Sequence, residues 1–146
     1  MEILARAGGT EYGIENRNVI KNAVYLIRHN LSNTDLGIEF LCERLKISPT
    51  TLTRIFREEL QISPGRYLLN QRLLQGMSLL SGSDLDIGTI SEKCGFRDPK
   101  TFSRFIRRST GLSAREYRKQ KRIKQSETKK SIPVDPKADH HPFSGK

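Results

Sequence analysis

From Asn18 onward, Val19, Ile20, Ala23, Val24, Leu26 and Ile27 recur at helical spacing, with Arg17, Lys21 and Arg28 between them. The pattern predicts an amphipathic helix that closes near Asn30. Ile38, Leu41, Cys42 and Leu45 form one stripe on a shorter helix, broken by the turn-like segment Lys46 to Pro49. Ser48 can satisfy an orphan amide with its hydroxyl, and Pro49 takes the first helical position, where its missing N–H costs nothing. A new helix therefore starts there. Leu69, Leu73, Met77 and Leu80 fall at i, i+4, i+8 and i+11, followed by the breaker Ser81 to Asp84. They predict a continuous helix of about 15 residues, about 20 Å long at 1.5 Å per residue. Ile87, Ile90 and Cys94 then restart the short-helix pattern, with a turn at Gly95 to Asp98, Asp98 as cap and Pro99 as first residue of the next helix. Each unit ends on a further start signal: Ser63-Pro64 in one, and Ser113 with Glu116, the spacing of a capping box, in the other.

The second unit repeats the first. "SPTTLTRIFRE" (Ser48 to Glu58) and "DPKTFSRFIRR" (Asp98 to Arg108) share four of eleven aligned residues: Pro49/Pro99, Thr51/Thr101, Arg54/Arg104 and Arg57/Arg107. On a helical wheel Leu52, Ile55 and Phe56 form a buried stripe, matched by Phe102, Phe105 and Ile106. Thr50, Thr53, Arg54 and Arg57 lie opposite in the first copy, and Lys100, Ser103, Arg104 and Arg107 in the second. These outward faces lie near the N-terminal ends of capped helices and carry cations and hydroxyls, the chemistry suited to base edges in a DNA major groove and to phosphate. A solvated polar face is the plain alternative for one helix; matching faces on two helices argue against it.

Charge sharpens the picture. Lys and Arg number 26 against 16 acids, a formal net charge of +10, which favours a polyanionic partner. Residues 1–118 carry 18 basic and 13 acidic groups, and residues 119–146 carry 8 and 3, so each part holds +5. Cys42 and Cys94 sit within apolar helical patterns without metal-ligand spacing, as buried small side chains do. No secretory signal and no apolar stretch long enough for a membrane span is visible, so a cytoplasmic protein without a membrane partner is expected.

An enzyme would need a phosphate loop, an HExxH or paired-cysteine site, or a carboxylate cluster, and none is present. His29 falls in a helical pattern, and His140-His141 in the tail is only weakly metal-like. A helical protein-interaction adaptor would carry apolar outward residues where Thr50, Thr53, Lys100 and Ser103 stand. RNA binding would need exposed aromatics for stacking, which the same faces lack. Non-specific nucleic-acid binding remains open on charge alone.

Helix, turn and helix, the linking "RLLQGMSLL" (Arg72 to Leu80), and above all "IGTISEKCGFRDPKTFSRFIRRSTGLSAREYR" (Ile87 to Arg118) resemble the paired helix-turn-helix DNA-binding domain of AraC/XylS-type transcription regulators. The resemblance covers about residues 18–118 and is tightest in the second half, where "GF.D...FSR", "TGLS" and "EYR" stand in the family's order. It implies an all-α fold of two homeodomain-like, three-helix units. The expected division is a flexible lead-in over 1–15, a first unit over 16–65, a linker helix over 66–81, a second unit over 82–122 and a disordered basic tail over 123–146.

By position, the resemblance assigns base readout to Thr50, Thr53 and Arg54, and to Lys100, Thr101, Ser103 and Arg104. Ser48, Arg57, Arg107 and Arg108 are the expected phosphate contacts, and Lys119, Lys121, Arg122 and Lys124 are expected to add non-specific attraction. Implied partners are double-stranded promoter DNA, bound by a monomer, and RNA polymerase, contacted by an activator; no cofactor is implied. Three positions depart from the family pattern. Lys46 and Gln61 stand where glycine is usual, and Gly76 stands where alanine is usual, at an expected cost of up to about 1 kcal/mol in helix stability.

Overall fold

Helix starts in the structure fall where capping chemistry places them. The computed structural model describes residues 2–131, and among these every regular element is helical. Following α1 (Glu2–Arg28), α2 (Ile38–Leu45) turns into α3 (Pro49–Leu60), and α4 (Pro64–Gly82) leads to α5 (Ile87–Lys93), α6 (Pro99–Thr110) and α7 (Ala114–Ser131). Ser48, Ser63, Asp86 and Asp98 each accept a hydrogen bond from the backbone N–H three residues on, at 2.7–3.2 Å. Ser113 and Glu116 complete the capping box, with reciprocal bonds of 2.9 and 3.1 Å.

Two cores result. Ala23, Ile27, Leu41, Leu52, Phe56 and Leu68 close the first, built from α1, α2, α3 and the start of α4. Leu73, Leu80, Ile90, Phe96, Phe102 and Ile106 close the second. Burying each such side chain stabilises the fold by about 1.5–3 kcal/mol, so neither unit depends on a single contact. Because Leu68 serves one core while Leu73 and Leu80 serve the other, α4 is more than a spacer. Its C-terminal half supports α5 and α6 as α1 supports α2 and α3.

Both ends depart from the expected division. The lead-in assigned to 1–15 is helical from Glu2, α1 being 27 residues long, and Asn16 within it is buried. His29 stands just past the end of α1, with Nδ1 2.8 Å from the Tyr25 carbonyl oxygen. At the other end α7 runs to Ser131, so the segment 123–131, expected to be disordered, is helix. Residues 132–146, with His140 and His141, lie outside the described residues.

An anchor in the first turns of α7 accounts for its hold on the fold. Arg118 donates from Nε to the Leu80 carbonyl at 2.9 Å and from Nη2 to the carbonyls of Ser83 and Leu85, satisfying acceptors where α4 ends. Arg122 also bonds the Ser83 carbonyl and pairs with Asp84 at 2.8 Å. Its guanidinium is thus held by the protein scaffold, where the sequence suggests a group available to phosphate.

Candidate nucleic-acid interface

The outward faces of α3 and α6 owe their orientation to apolar anchors on the opposite side. Leu52, Ile55 and Phe56 are buried under α3, and Phe102 and Ile106 under α6. Phe105 is only half-buried, its ring 6.3 Å from that of Phe96 and beneath the Arg108 guanidinium at 5.8 Å. With those residues inward, Thr50, Arg57, Lys100, Arg104, Arg107 and Arg108 are exposed, and Thr53, Arg54, Thr101 and Ser103 are half-buried at the edge of each face.

The turn before α3 and the turns that end α3 and α6 are set by backbone chemistry. Lys46 (φ 61°) and Gln61 (φ 57°) occupy the left-handed region, as does Gly111 (φ 79°), the counterpart of Gln61. A side chain there costs about 1–2 kcal/mol, which is the physical content of the glycine preference at both positions. In the second unit Ser91, buried in α5, donates from Oγ to the Asp98 carbonyl at 3.2 Å and so fixes the N-cap of α6. That bond ties the start of the outward-facing helix to the helix behind it.

Each face brings its expected residues together to a different degree. Pro49, Thr50, Thr53 and Arg54 line one shallow groove. Lys100, Ser103, Arg104 and Arg107 line a second, whose far wall is Ser113, Ala114 and Arg115 at the start of α7. Arg115 is an exposed cation that sequence reasoning passed over; its only signal was its place in the capping box after α6. Ser48 and Thr101 stand apart from these grooves, with their hydroxyls engaged in the caps. Ser48 Oγ donates to Thr51 Oγ1 at 3.0 Å, and Thr101 Oγ1 donates to Asp98 Oδ2 at 3.2 Å.

Acidic groups shape the charge of both faces. Arg54 Nη1 pairs with Glu58 Oε1 at 3.1 Å, and Asn16 Nδ2 donates to the same oxygen at 3.2 Å. An α1 residue thereby helps place an arginine of α3, a relation that the i, i+4 spacing of Arg54 and Glu58 only half reveals. On α6 the N–H and then the hydroxyl of Thr101 hold the Asp98 carboxyl below its ordinary value, with a smaller contribution from the Arg104 charge. Among the described residues, no group of three or more His, Cys, Asp or Glu could hold a metal ion. Cys42 and Cys94 are both buried and unbridged, and burial pushes the Cys94 thiol up to about 11.

A helix-turn-helix domain family matches residues 41–120, more than half of the chain. The chain belongs to the AraC-type helix-turn-helix family. The arabinose operon regulatory protein of Escherichia coli K12 is 32% identical over 101 residues, covering 69% of this chain and 35% of that protein. Among solved structures, the DNA-binding domain of AdpA, a global transcriptional factor crystallised with a target DNA, matches at 29% identity and a TM-score of 0.68, over 75% of this chain and 97% of that one. An AraC-type regulator from Chromobacterium violaceum matches at 27% identity and a TM-score of 0.65, over 74% and 96%. This chain spans about a third of the length of the arabinose regulator. The AraC-type paired helix-turn-helix is the fold described above, with α3 and α6 as the second helices of the two units.

Proposed function

We propose that the chain is a sequence-specific, double-stranded-DNA-binding transcription regulator that sets α3 and α6 into successive major grooves. The observation that carries this reading is the pairing of two capped helices, each seated by a buried apolar stripe and each presenting cations and hydroxyls outward. Thr50, Thr53 and Arg54 then read bases in one subsite, and Lys100, Ser103 and Arg104 in the other. Thr101 contributes from the edge of its cap. Arg57, Arg107 and Arg108 contact phosphate, while Ser48 acts there through the N-terminus it caps. Arg115 joins Lys100 and Arg104 at the second subsite.

With two reading helices in one chain, a monomer suffices for a site spanning about two helical turns, its subsites about 34 Å apart. The outward faces differ at Thr50 against Lys100, so the site is asymmetric. Family membership supports activation through RNA polymerase contact in the cytoplasm. Among the described residues no helix is long and apolar enough to cross a membrane.

Selection of bound sequences from random duplex DNA, followed by footprinting, tests the reading. A non-palindromic footprint of about two turns is expected, with binding that weakens as salt rises. A single-turn site, a strict palindrome, or equal affinity for duplex RNA and single strands overturns it.

A further inference from the structure

Helix α4 is not the sole link between the two units. Gly95, in the turn between α5 and α6, has φ 87°, and a Cβ built on it would fall 2.1 Å from the Leu31 carbonyl oxygen and 2.7 Å from Arg72 Nε. The turn of the second unit is therefore pressed against the loop between α1 and α2 of the first. From the middle of α4, Arg72 reaches into the same loop, donating from Nη2 to the carbonyls of Asn33 at 2.8 Å and Leu36 at 3.5 Å. Two residues beyond Gly95, Arg97 lies 3.5 Å from the Thr34 carbonyl oxygen and 3.9 Å from Asp35 Oδ1.

Arg72 is an expensive residue to place there. Desolvation lowers its pKa, its Nε is buried without a hydrogen-bond partner, and the adjacent Cys94 thiol is neutral near pH 7. Core packing alone would be served by leucine or methionine on this helix. What an arginine adds is a planar, multi-donor head that can hold carbonyls of a loop it does not belong to.

We propose that Arg72, with Gly95 and the loop Asn30–Gly37, forms a latch that fixes the separation and rotation of α3 relative to α6, and so determines which subsite spacing the protein accepts. The spacing consequence rests on the DNA-reading function proposed above; the latch itself does not. Inserting one base pair between subsites moves the second by about 3.4 Å along the duplex and about 34° around it. A latched pair of helices cannot follow that displacement without breaking contacts, whereas a pair joined by α4 alone can bend toward it.

Two measurements on the full chain test the latch. In the first, spin labels at Asn22→Cys and Ser109→Cys, both exposed positions on opposite units, report the distance distribution in solution. One narrow population is expected with Arg72 present, and a shifted or widened one in Arg72→Met. In the second, sites selected by the wild-type protein are lengthened or shortened by one base pair. The wild type should lose about tenfold or more in affinity, and Arg72→Met should bind the native spacing more weakly while losing no more than about threefold between spacings. Should Arg72→Met fail to fold by circular dichroism, Arg72→Lys, whose single ammonium cannot span both carbonyls, takes its place in both experiments. Unchanged distance distributions together with equal spacing penalties overturn the latch. If the wild type binds no duplex selectively, the reading of function fails, and the spin-label distances still decide the latch.

Discussion

Gly76 lies directly against the ring of Phe102: a Cβ built at position 76 would fall 2.4 Å from Phe102 Cε1 and 2.9 Å from Cζ. Phe102 is fully buried, so its ring has no free space to retreat into. The sequence makes Gly76 a blemish in α4 that alanine would repair; the structure makes it the point where α4 and α6 meet. Gly76→Ala gains up to about 1 kcal/mol of helix propensity but incurs an overpacking cost of about 1–3 kcal/mol. A net loss of about 1–2 kcal/mol is expected, read as a lower chemical-denaturation midpoint with an unchanged slope. Adding Phe102→Leu should recover part of the loss in a double-mutant cycle. Gly88→Ala in α5, whose Cβ would meet nothing closer than 4.0 Å, should be neutral or stabilising. Increased stability of Gly76→Ala would contradict the contact.

The contact between Gly76 and Phe102 shows where local pattern stops. Caps, turns and apolar stripes are written within a few residues, and Ser48, Asp98, Phe56 and Ile106 accordingly stand where spacing puts them. Gly76 and Phe102, Arg72 and Asn33, Arg118 and Leu80, and Asn16 and Glu58 are separated by 26 to 42 residues, and nothing in either local sequence names its partner. The basic residues suffered most. Composition weighs Arg118 and Arg122 the same as Arg104, yet carbonyl groups near the end of α4 hold the first two while Arg104 is exposed on α6. Helix ends were equally hidden: polar, glycine-containing residues before Asn18 and the charged run after Arg118 carry little apolar period, although both continue helices that do.

Arg104 and Arg107 are proposed to separate reading from attraction. Both are exposed on α6, but Arg104 lies nearer the capped N-terminus, beside Lys100 and Ser103. Arg104→Ala should cost about 1–3 kcal/mol on the selected site and relax preference at one base position. Arg107→Ala should weaken selected and random DNA alike and reduce the salt slope by about 1. Titrating both variants against both DNAs over a salt series distinguishes them, and equal losses on both DNAs for Arg104→Ala would remove it from base readout.

Glu58 is expected to tune Arg54 by holding it. Its carboxylate accepts from Arg54 and from Asn16, restricting the guanidinium while placing a negative charge beside the face proposed to meet DNA. Glu58→Gln removes that charge and loosens the arginine. Affinity for random duplex should rise severalfold and the selectivity ratio should fall, with the base preference opposite Arg54 blurred most. A selection experiment on the variant that returned an unchanged preference would show that Arg54 orientation does not depend on Glu58.

Acid sensitivity should come from the caps. Hydrogen bonds from the backbone N–H and side chain of Thr101 hold Asp98 below its ordinary value of 3.8; Thr89, through its hydroxyl and then its N–H, does the same for Asp86. Glu116 is held below 4.5 chiefly by the Ser113 N–H. A carboxyl whose folded pKa lies below its unfolded one contributes stability that is complete above the unfolded value and is lost as pH falls through the folded one. The melting temperature should therefore be flat from neutral pH to about pH 5 and drop on acidification from about pH 5 to pH 3. Asn in place of Asp98 still caps α6 but has no proton to gain, so Asp98→Asn should melt somewhat lower at pH 7 and lose less on going to pH 3. Because Asp98 caps the helix proposed to read the second subsite, fraying there should also weaken that half of the footprint first. Parallel melting curves for the two proteins across the acid range would show that the cap charge is not what titrates.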